Sequence, residues 1–193
     1  DDERAAGVIA ASAGNHGQGV AMACAALGIR GRIFVPSTTP RQKRDRMRHF
    51  GKEFIELVVV GDAYDEASAA AKQAAAESGA VIVPAFDDAR TIAGQGTVAK
   101  ETVEQLGREP DRIILPVGGG GLLAGSLVWL AARSPKTSVT AAEPTGAACL
   151  AAALDAGHPT TLGTIDTFVD GAAVRRAGDL TFAIAAQHNP RLL

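Results

Sequence analysis

The sequence predicts an α/β fold, parallel strands with helices covering both sheet faces. Three observations carry that expectation. Short apolar runs alternate with amphipathic stretches along most of the 193 residues, and glycine or proline separates one from the next. The short runs are mostly apolar rather than strictly alternating, which is the pattern of strands buried on both faces. Apolar residues make up 47% of the chain but aromatics only 4%, so Ala, Gly and Val dominate a core suited to closely packed layers.

The elements follow in order. Gly7 to Ser12 reads as a buried strand, then a glycine-rich turn and a helix over Gln18 to Leu27. Arg32 to Val35 is the next strand and Pro40 to Phe50 the next helix, opened by a proline whose φ suits a first turn. Phe54 to Val60 is a β-branched strand, Tyr64 to Ser78 an Ala-rich helix, and Ala80 to Val83 another strand. Past Pro84 the polar segment Phe86-Asp87-Asp88-Ala89-Arg90 reads as a crossover between lobes. Ile92 to Leu106 is a helix with early glycines, Arg112 to Val117 a strand, and Leu122 to Ala132 a helix behind a glycine loop. Ser138 to Ala142 is a strand and Ala147 to Ala156 a helix closed by Gly157. The remainder is less regular.

Charge and composition exclude several classes. A net charge of −2 and a pI near 6.1 give no electrostatic footprint for nucleic acid. The basic run Arg41, Lys43, Arg44, Arg46 and Arg48 is interrupted by Asp45 and reads as the solvated face of a helix, with Met47 and Phe50 turned inward. No apolar run approaches the ~20 residues that span a bilayer, so no membrane partner is expected. Cys24 and Cys149 sit far apart in Ala-rich helical patterns and read as small buried hydrophobes, which fits a cytoplasmic protein. Both ends of the chain, Asp1-Asp2-Glu3-Arg4 and Pro190-Arg191-Leu192-Leu193, read as places where a longer chain was cut.

Two loops carry chemistry. Gly118-Gly119-Gly120-Gly121 follows the apolar run Ile113 to Val117 directly. Four glycines cost backbone entropy on folding, and what they allow is several N–H groups converging on one anion at a helix N-terminus. Leu122 and Leu123 stand where a Walker loop would have Lys and Ser/Thr, so a single terminal phosphate suits this cradle better than a triphosphate. The second loop is Ser12-Ala13-Gly14-Asn15-His16-Gly17-Gln18-Gly19, again between strand and helix. No acidic residue ends the next strand, where Pro36, Ser37 and Thr38 stand, so a dinucleotide reading is weak. What remains is a loop of small groups and free amides suited to a carboxylate, with the Asn15 amide able to donate to a ring oxygen. A phosphate site and a carboxylate site at strand ends describe an amino acid joined to a phosphorylated cofactor, and so point to pyridoxal 5'-phosphate.

Three strings, SAGNHGQG (Ser12 to Gly19), TIAGQGT (Thr91 to Thr97) and PVGGGGL (Pro116 to Leu122), resemble the threonine/serine dehydratases. These are fold-type-II pyridoxal enzymes related to serine racemase and the tryptophan synthase β chain, and the resemblance runs over nearly the whole chain. It implies a two-lobed protein with the cofactor in a cleft between lobes. Residues 1–86 would form the small lobe with the carboxylate loop, and 87–193 part of the large lobe with the phosphate loop. It implies that Asn15 contacts the cofactor ring hydroxyl and that Ser12, Ala13, Gly14, Asn15 and His16 grip the substrate carboxylate. Gly118, Gly119, Gly120, Gly121 and the Leu122 amide would bind phosphate, and Gly171 in Val169-Asp170-Gly171 would lie near the reacting imine.

The implied reaction is β-elimination: threonine gives 2-oxobutanoate and ammonia, serine pyruvate and ammonia, in amino-acid metabolism and isoleucine biosynthesis. A homo-oligomer is implied as well. The resemblance also fails in places. The family's Schiff-base lysine lies upstream of Ser12, before the first residue here, and Lys43, Lys52, Lys72, Lys100 and Lys136 all lack its sequence setting. A partner for the pyridine nitrogen is expected beyond Leu193. Serine-racemase-like relatives bind a divalent cation through a glutamate and a later aspartate; Glu143 matches, but Cys149 stands at the second position, so no metal is expected. Two alternatives stay open: a racemase or β-replacement enzyme, where Ser12 would serve the second ring face as acid or base, and a truncated, non-catalytic ligand-binding fragment.

Overall fold

A computed structural model describes residues 2–193. The chain forms two compact units, one ending at Ala85 and the other running Phe86–Leu193.

The first unit contains α1 (Asp2–Ala6), β1 (Val8–Ala11), α2 (Asn15–Leu27), β2 (Gly31–Val35), α3 (Arg41–Gly51), β3 (Ile55–Val59), α4 (Tyr64–Ser78) and β4 (Val81–Ile82). Its four strands are all parallel, in the order β3-β2-β1-β4. The alternation of side chains along a strand divides the core into two layers. Ala10, Ile33 and Val35 face α2 and α3, where Val20, Ala21, Cys24 and the fully buried Met47 meet them. Ile9 and Phe34 point the other way onto Ala67, Ala71 and Ala75, a small-residue stripe at helical spacing on α4. Alanine on that stripe lets α4 lie close to the sheet, which is why so few aromatics suffice. Phe50 packs at the edge of the α2–α3 layer, while Arg41, Arg46 and Arg48 are exposed.

The second unit contains α5 (Ala89–Leu106), β5 (Arg112–Pro116), α6 (Gly121–Arg133), β6 (Ser138–Ala142), α7 (Cys149–Ala156), α8 (Asp179–His188) and β7 (Arg191–Leu192). Its sheet is parallel, in the order β5-β6-β7. The core joins Leu115, Val117 and Ala141 to Leu123 and Leu127 of α6, Cys149 and Leu150 of α7, and Ala185 of α8. As the sequence suggests, the stretch after Gly157 is irregular, with only a short turn at Asp170–Ala172 before α8; α8 and β7 then form without an apolar period to announce them.

Helices α5 and α6 cross at Gly96 and Gly125. A Cβ on Gly125 would run into the Ile92 carbonyl oxygen and come within 2.5 Å of the Gly96 nitrogen, and one on Gly96 would sit 2.9 Å from the Gly125 oxygen. The second glycine of TIAGQGT thus serves close helix packing. Among the described residues no helix is long and apolar enough to cross a membrane.

Candidate active site

Both glycine loops occupy the carboxyl ends of parallel strands, where open α/β sheets bind ligands. In the first unit the loop after β1 also lies where the strand order reverses, between β1 and β4. Gly14 is the N-cap of α2. Ser12 is buried, and its Oγ accepts from the Gly14 amide at 3.2 Å, which closes a tight turn. Among the described residues the amides of Ala13, Asn15 and His16 have no protein acceptor, and the Asn15 side chain is exposed at the first position of α2. These free donors stand at the positive end of α2, an arrangement whose electrostatics favour an anion.

His16 has a different role from its neighbours. Its Nε2 lies 2.9 Å from the Val83 carbonyl oxygen just past β4, so Nε2 carries the proton and donates. Burial pushes the imidazole below its ordinary pKa, partly opposed by that hydrogen bond, and the ring is neutral near pH 7. His16 therefore ties the loop after β1 to the end of β4 across the topological switch point.

In the second unit the loop after β5 runs through Val117 to Gly120, the N-cap of α6, whose φ of 92° favours glycine. Among the described residues, the N–H groups of Gly118, Gly119, Gly120, Gly121 and Leu122 have no acceptor. The glycines are required by their neighbours as well as by a ligand. A Cβ on Gly119 would overlap the Phe86 ring, and one on Gly121 would lie 3.0 Å from the Phe86 Cα. A Cβ on Gly118 would meet the Ala172 Cα at 3.1 Å and the Gly171 oxygen at 3.4 Å, so the Val169-Asp170-Gly171 segment borders the cradle.

The carbonyl side of the loop is held by side chains. Thr181 Oγ1 donates to the Gly119 oxygen at 2.7 Å, and Cys149 Sγ lies 3.4 Å from the Gly118 oxygen. Asp87 caps α8, its carboxylate accepting from the amides of Asp179 and Leu180 at 2.9 Å and of Thr181 at 3.3 Å. Asp88 caps α5 through the amides of Arg90 and Thr91. The segment Phe86-Asp87-Asp88, read from sequence as a crossover, is thus a brace that sets two helices and one wall of the cradle. Sequence reasoning missed Phe86, Asp87 and Thr181; the Asp-Asp pair ahead of a helix was the one available signal, and only for α5.

Glu143 is held in place structurally. Its two carboxylate oxygens each accept a backbone amide at 2.8 Å, from Leu150 and Ala151 in the first turn of α7. Burial raises its pKa while those amides lower it, with burial dominant. Burial, with a smaller contribution from Glu143, pushes the Cys149 thiol up to about 11, so it is protonated and able to donate.

The fold is that of an α/β protein with two glycine loops, each at the carboxyl end of a parallel strand and each presenting backbone amides without an acceptor among the described residues. The chain belongs to the pyridoxal-phosphate dependent enzyme family, whose model matches residues 1–192. It is 57% identical over 186 residues to the L-threonine dehydratase biosynthetic IlvA of Mycobacterium tuberculosis, covering 96% of this chain and 43% of that protein. It is 51% identical to the Bacillus subtilis protein of the same name, over 91% of this chain and 42% of the relative. Among solved structures, the processed form of threonine deaminase isoform 2 from Solanum lycopersicum superposes with a TM-score of 0.89 at 40% identity, over 96% of this chain and 53% of that one. Maize serine racemase superposes at 0.90 and 33% identity, over 100% of this chain and 57% of that one. The chain spans less than half the length of the curated relatives it matches.

Membership of the family brings pyridoxal phosphate as cofactor, and the residues present fit it. Five consecutive amides, from Gly118 to Leu122, lack an acceptor among the described residues, and an added Cβ at any of the four glycines would crowd a neighbour, so this backbone would suit a phosphate held by N–H groups rather than by a cationic side chain.

Proposed function

We propose that the protein carrying this sequence is a threonine ammonia-lyase, converting L-threonine to 2-oxobutanoate and ammonia, with L-serine giving pyruvate and ammonia as the lesser reaction. Support comes from relatives named threonine dehydratase at 51–57% identity, well above the 33% of the serine racemase neighbour. The observation that carries the reading is the tetraglycine cradle with its five unengaged amides.

In this reading Gly118, Gly119, Gly120, Gly121 and Leu122 bind the cofactor phosphate through their N–H groups. Asn15 donates its amide to the ring hydroxyl oxygen. Ser12, Ala13, Gly14, Asn15 and His16 hold the substrate carboxylate, chiefly through the free amides of Ala13, Asn15 and His16. Gly171 presents its backbone beside the cradle. Pyridoxal phosphate, when bound, supplies the electron sink that makes the substrate α-proton removable. The neutral His16, pinned to Val83, keeps the carboxylate loop's shape and adds no charge beside the α-carbon. The substrate loses its β-hydroxyl as water and later regains one water as its amine leaves as ammonia, so threonine is converted to 2-oxobutanoate without net change in water.

The test is a keto-acid assay on the full-length protein with each amino acid. Formation of 2-oxobutanoate with a higher kcat/KM than pyruvate is expected, together with strong loss on Asn15→Ala. Racemised serine without keto acid would replace this reading with that of a racemase. A homo-oligomer, expected from the same resemblance, is checked by light scattering.

A further inference from the structure

We infer that Thr181 is a positioning residue for cofactor phosphate, assisted by Cys149, and that each acts by pinning the carbonyl side of a tetraglycine peptide so that its N–H side faces the anion. The inference rests on reading the tetraglycine as a phosphate cradle.

A trans peptide is planar, with the carbonyl of one residue and the N–H of the next pointing in opposite directions. Fixing the oxygen therefore fixes where the following N–H points. Thr181 Oγ1 is 2.7 Å from the Gly119 oxygen, and the Gly178 amide reaches the same oxygen at 3.4 Å. That peptide's N–H belongs to Gly120, which has no acceptor among the described residues. Cys149 Sγ, 3.4 Å from the Gly118 oxygen, does the same for the peptide whose N–H belongs to Gly119. A run of glycines has no side chains to resist rotation of its peptide planes, so the restraint has to come from elsewhere. Here it comes from behind.

The surroundings are arranged for this. Thr181 is 1% exposed, so its hydroxyl cannot exchange its partner for water. Its single proton has two carbonyls in reach, and the Gly119 oxygen is nearer than that of Gly178 at 3.2 Å. A Cβ on Gly120 would come within 2.9 Å of Thr181 Cβ and Oγ1, so the glycine there leaves room for the tether as well as for the turn. Asp87 accepts the Thr181 amide and so sets where the hydroxyl stands. Cys149 contributes less, because a thiol is a weak donor.

The experiment compares pyridoxal 5'-phosphate with pyridoxal, which lacks the phosphate, by absorbance titration of the cofactor-free full-length protein. Thr181→Val keeps the shape and removes the proton; Thr181→Ser keeps the proton. Loss of one restraint worth a typical hydrogen bond predicts about tenfold weaker binding of pyridoxal 5'-phosphate by Thr181→Val. Pyridoxal binding should stay unchanged, Thr181→Ser should rescue, and Cys149→Ala should lose less. Thr181→Val binding the phosphate form as tightly as the parent overturns the inference, as does an equal loss for both ligands. Should Thr181→Val fail to fold, the inference stands or falls on Thr181→Ser and Cys149→Ala. A parent protein that does not prefer the phosphate form overturns the cradle reading, and the inference with it.

Discussion

The crossing of α5 and α6 offers the sharpest test of the packing argument, through two glycines that the same helix pair treats oppositely. At Gly125 an added Cβ meets backbone, namely the Ile92 oxygen, the Gly96 nitrogen at 2.5 Å and the Gln95 carbonyl carbon at 2.9 Å. Backbone in mid-helix cannot rotate aside. Reaching ordinary contact near 3.5 Å requires the helices to separate by about 1 Å. Overpacking of this kind costs roughly 1–3 kcal/mol, against a helix-propensity gain for Gly→Ala of about 1 kcal/mol. With a backbone clash as close as this one the cost lies toward the upper end of that range, and Gly125→Ala should destabilise by up to about 2 kcal/mol net. Gly94 lies on α5 two residues before Gly96, with nothing within 4 Å of its would-be Cβ. Gly94→Ala should keep the propensity gain and stabilise by roughly 0.5–1 kcal/mol. Urea unfolding of the full-length protein, followed by far-UV circular dichroism, reads both. Two shifts of the same sign would show that the close crossing is not what keeps Gly125 a glycine.

Three further outcomes follow from the site. Asp87→Ala should destabilise by about 1 kcal/mol, since three α8 amides lose their cap, while Asp87→Asn keeps an acceptor and should lose less; urea midpoints distinguish them. His16 has a pKa lowered in the folded state from an ordinary value of about 6.5, so the unfolded chain binds the proton more readily. Its contribution is therefore present above about pH 6.5 and lost as pH falls through that value toward the folded pKa, and His16→Asn should flatten this part of the stability–pH curve. Cys24 and Cys149 are both buried, and Cys149 titrates at about 11. Peptide mapping after treatment with a thiol reagent at pH 8 should find both unlabelled in native protein and both labelled in urea; rapid native labelling of Cys149 would contradict its contact with Gly118.

What could be read from the sequence was whatever is written locally. The strand Ser138–Ala142 and the helix Tyr64–Ser78 have the bounds their apolar patterns imply, and the loops at Ser12 and Gly118 declare themselves because glycine runs between strand and helix have few other uses. Helix α8 was not legible, because its residues Asp179–His188 show almost no amphipathic period and its N-terminus is fixed by Asp87, some ninety positions earlier. The same distance hid Thr181, whose hydroxyl matters only because folding lays α8 against Gly119. TIAGQGT was legible as a family mark, yet the reason for its second glycine lies on another helix.

The Glu143–Cys149 pair shows how one substitution can redistribute work within an otherwise familiar frame. From sequence, a thiol where an oxygen ligand would stand leaves a cation site half built. In the fold, Glu143 spends both carboxylate oxygens on the first-turn amides of α7, an interaction favoured by the positive end of that helix. Capping α7 fixes the position of its first residue, Cys149, and so aims the thiol at the Gly118 oxygen. Burial that would penalise a charged group instead keeps this thiol protonated, which is the form a donor needs. One carboxylate thus braces α7 against the cradle from one side as Asp87 braces α8 from the other. Two acidic residues cap the N-termini of two helices whose first turns each carry a donor to the glycine loop.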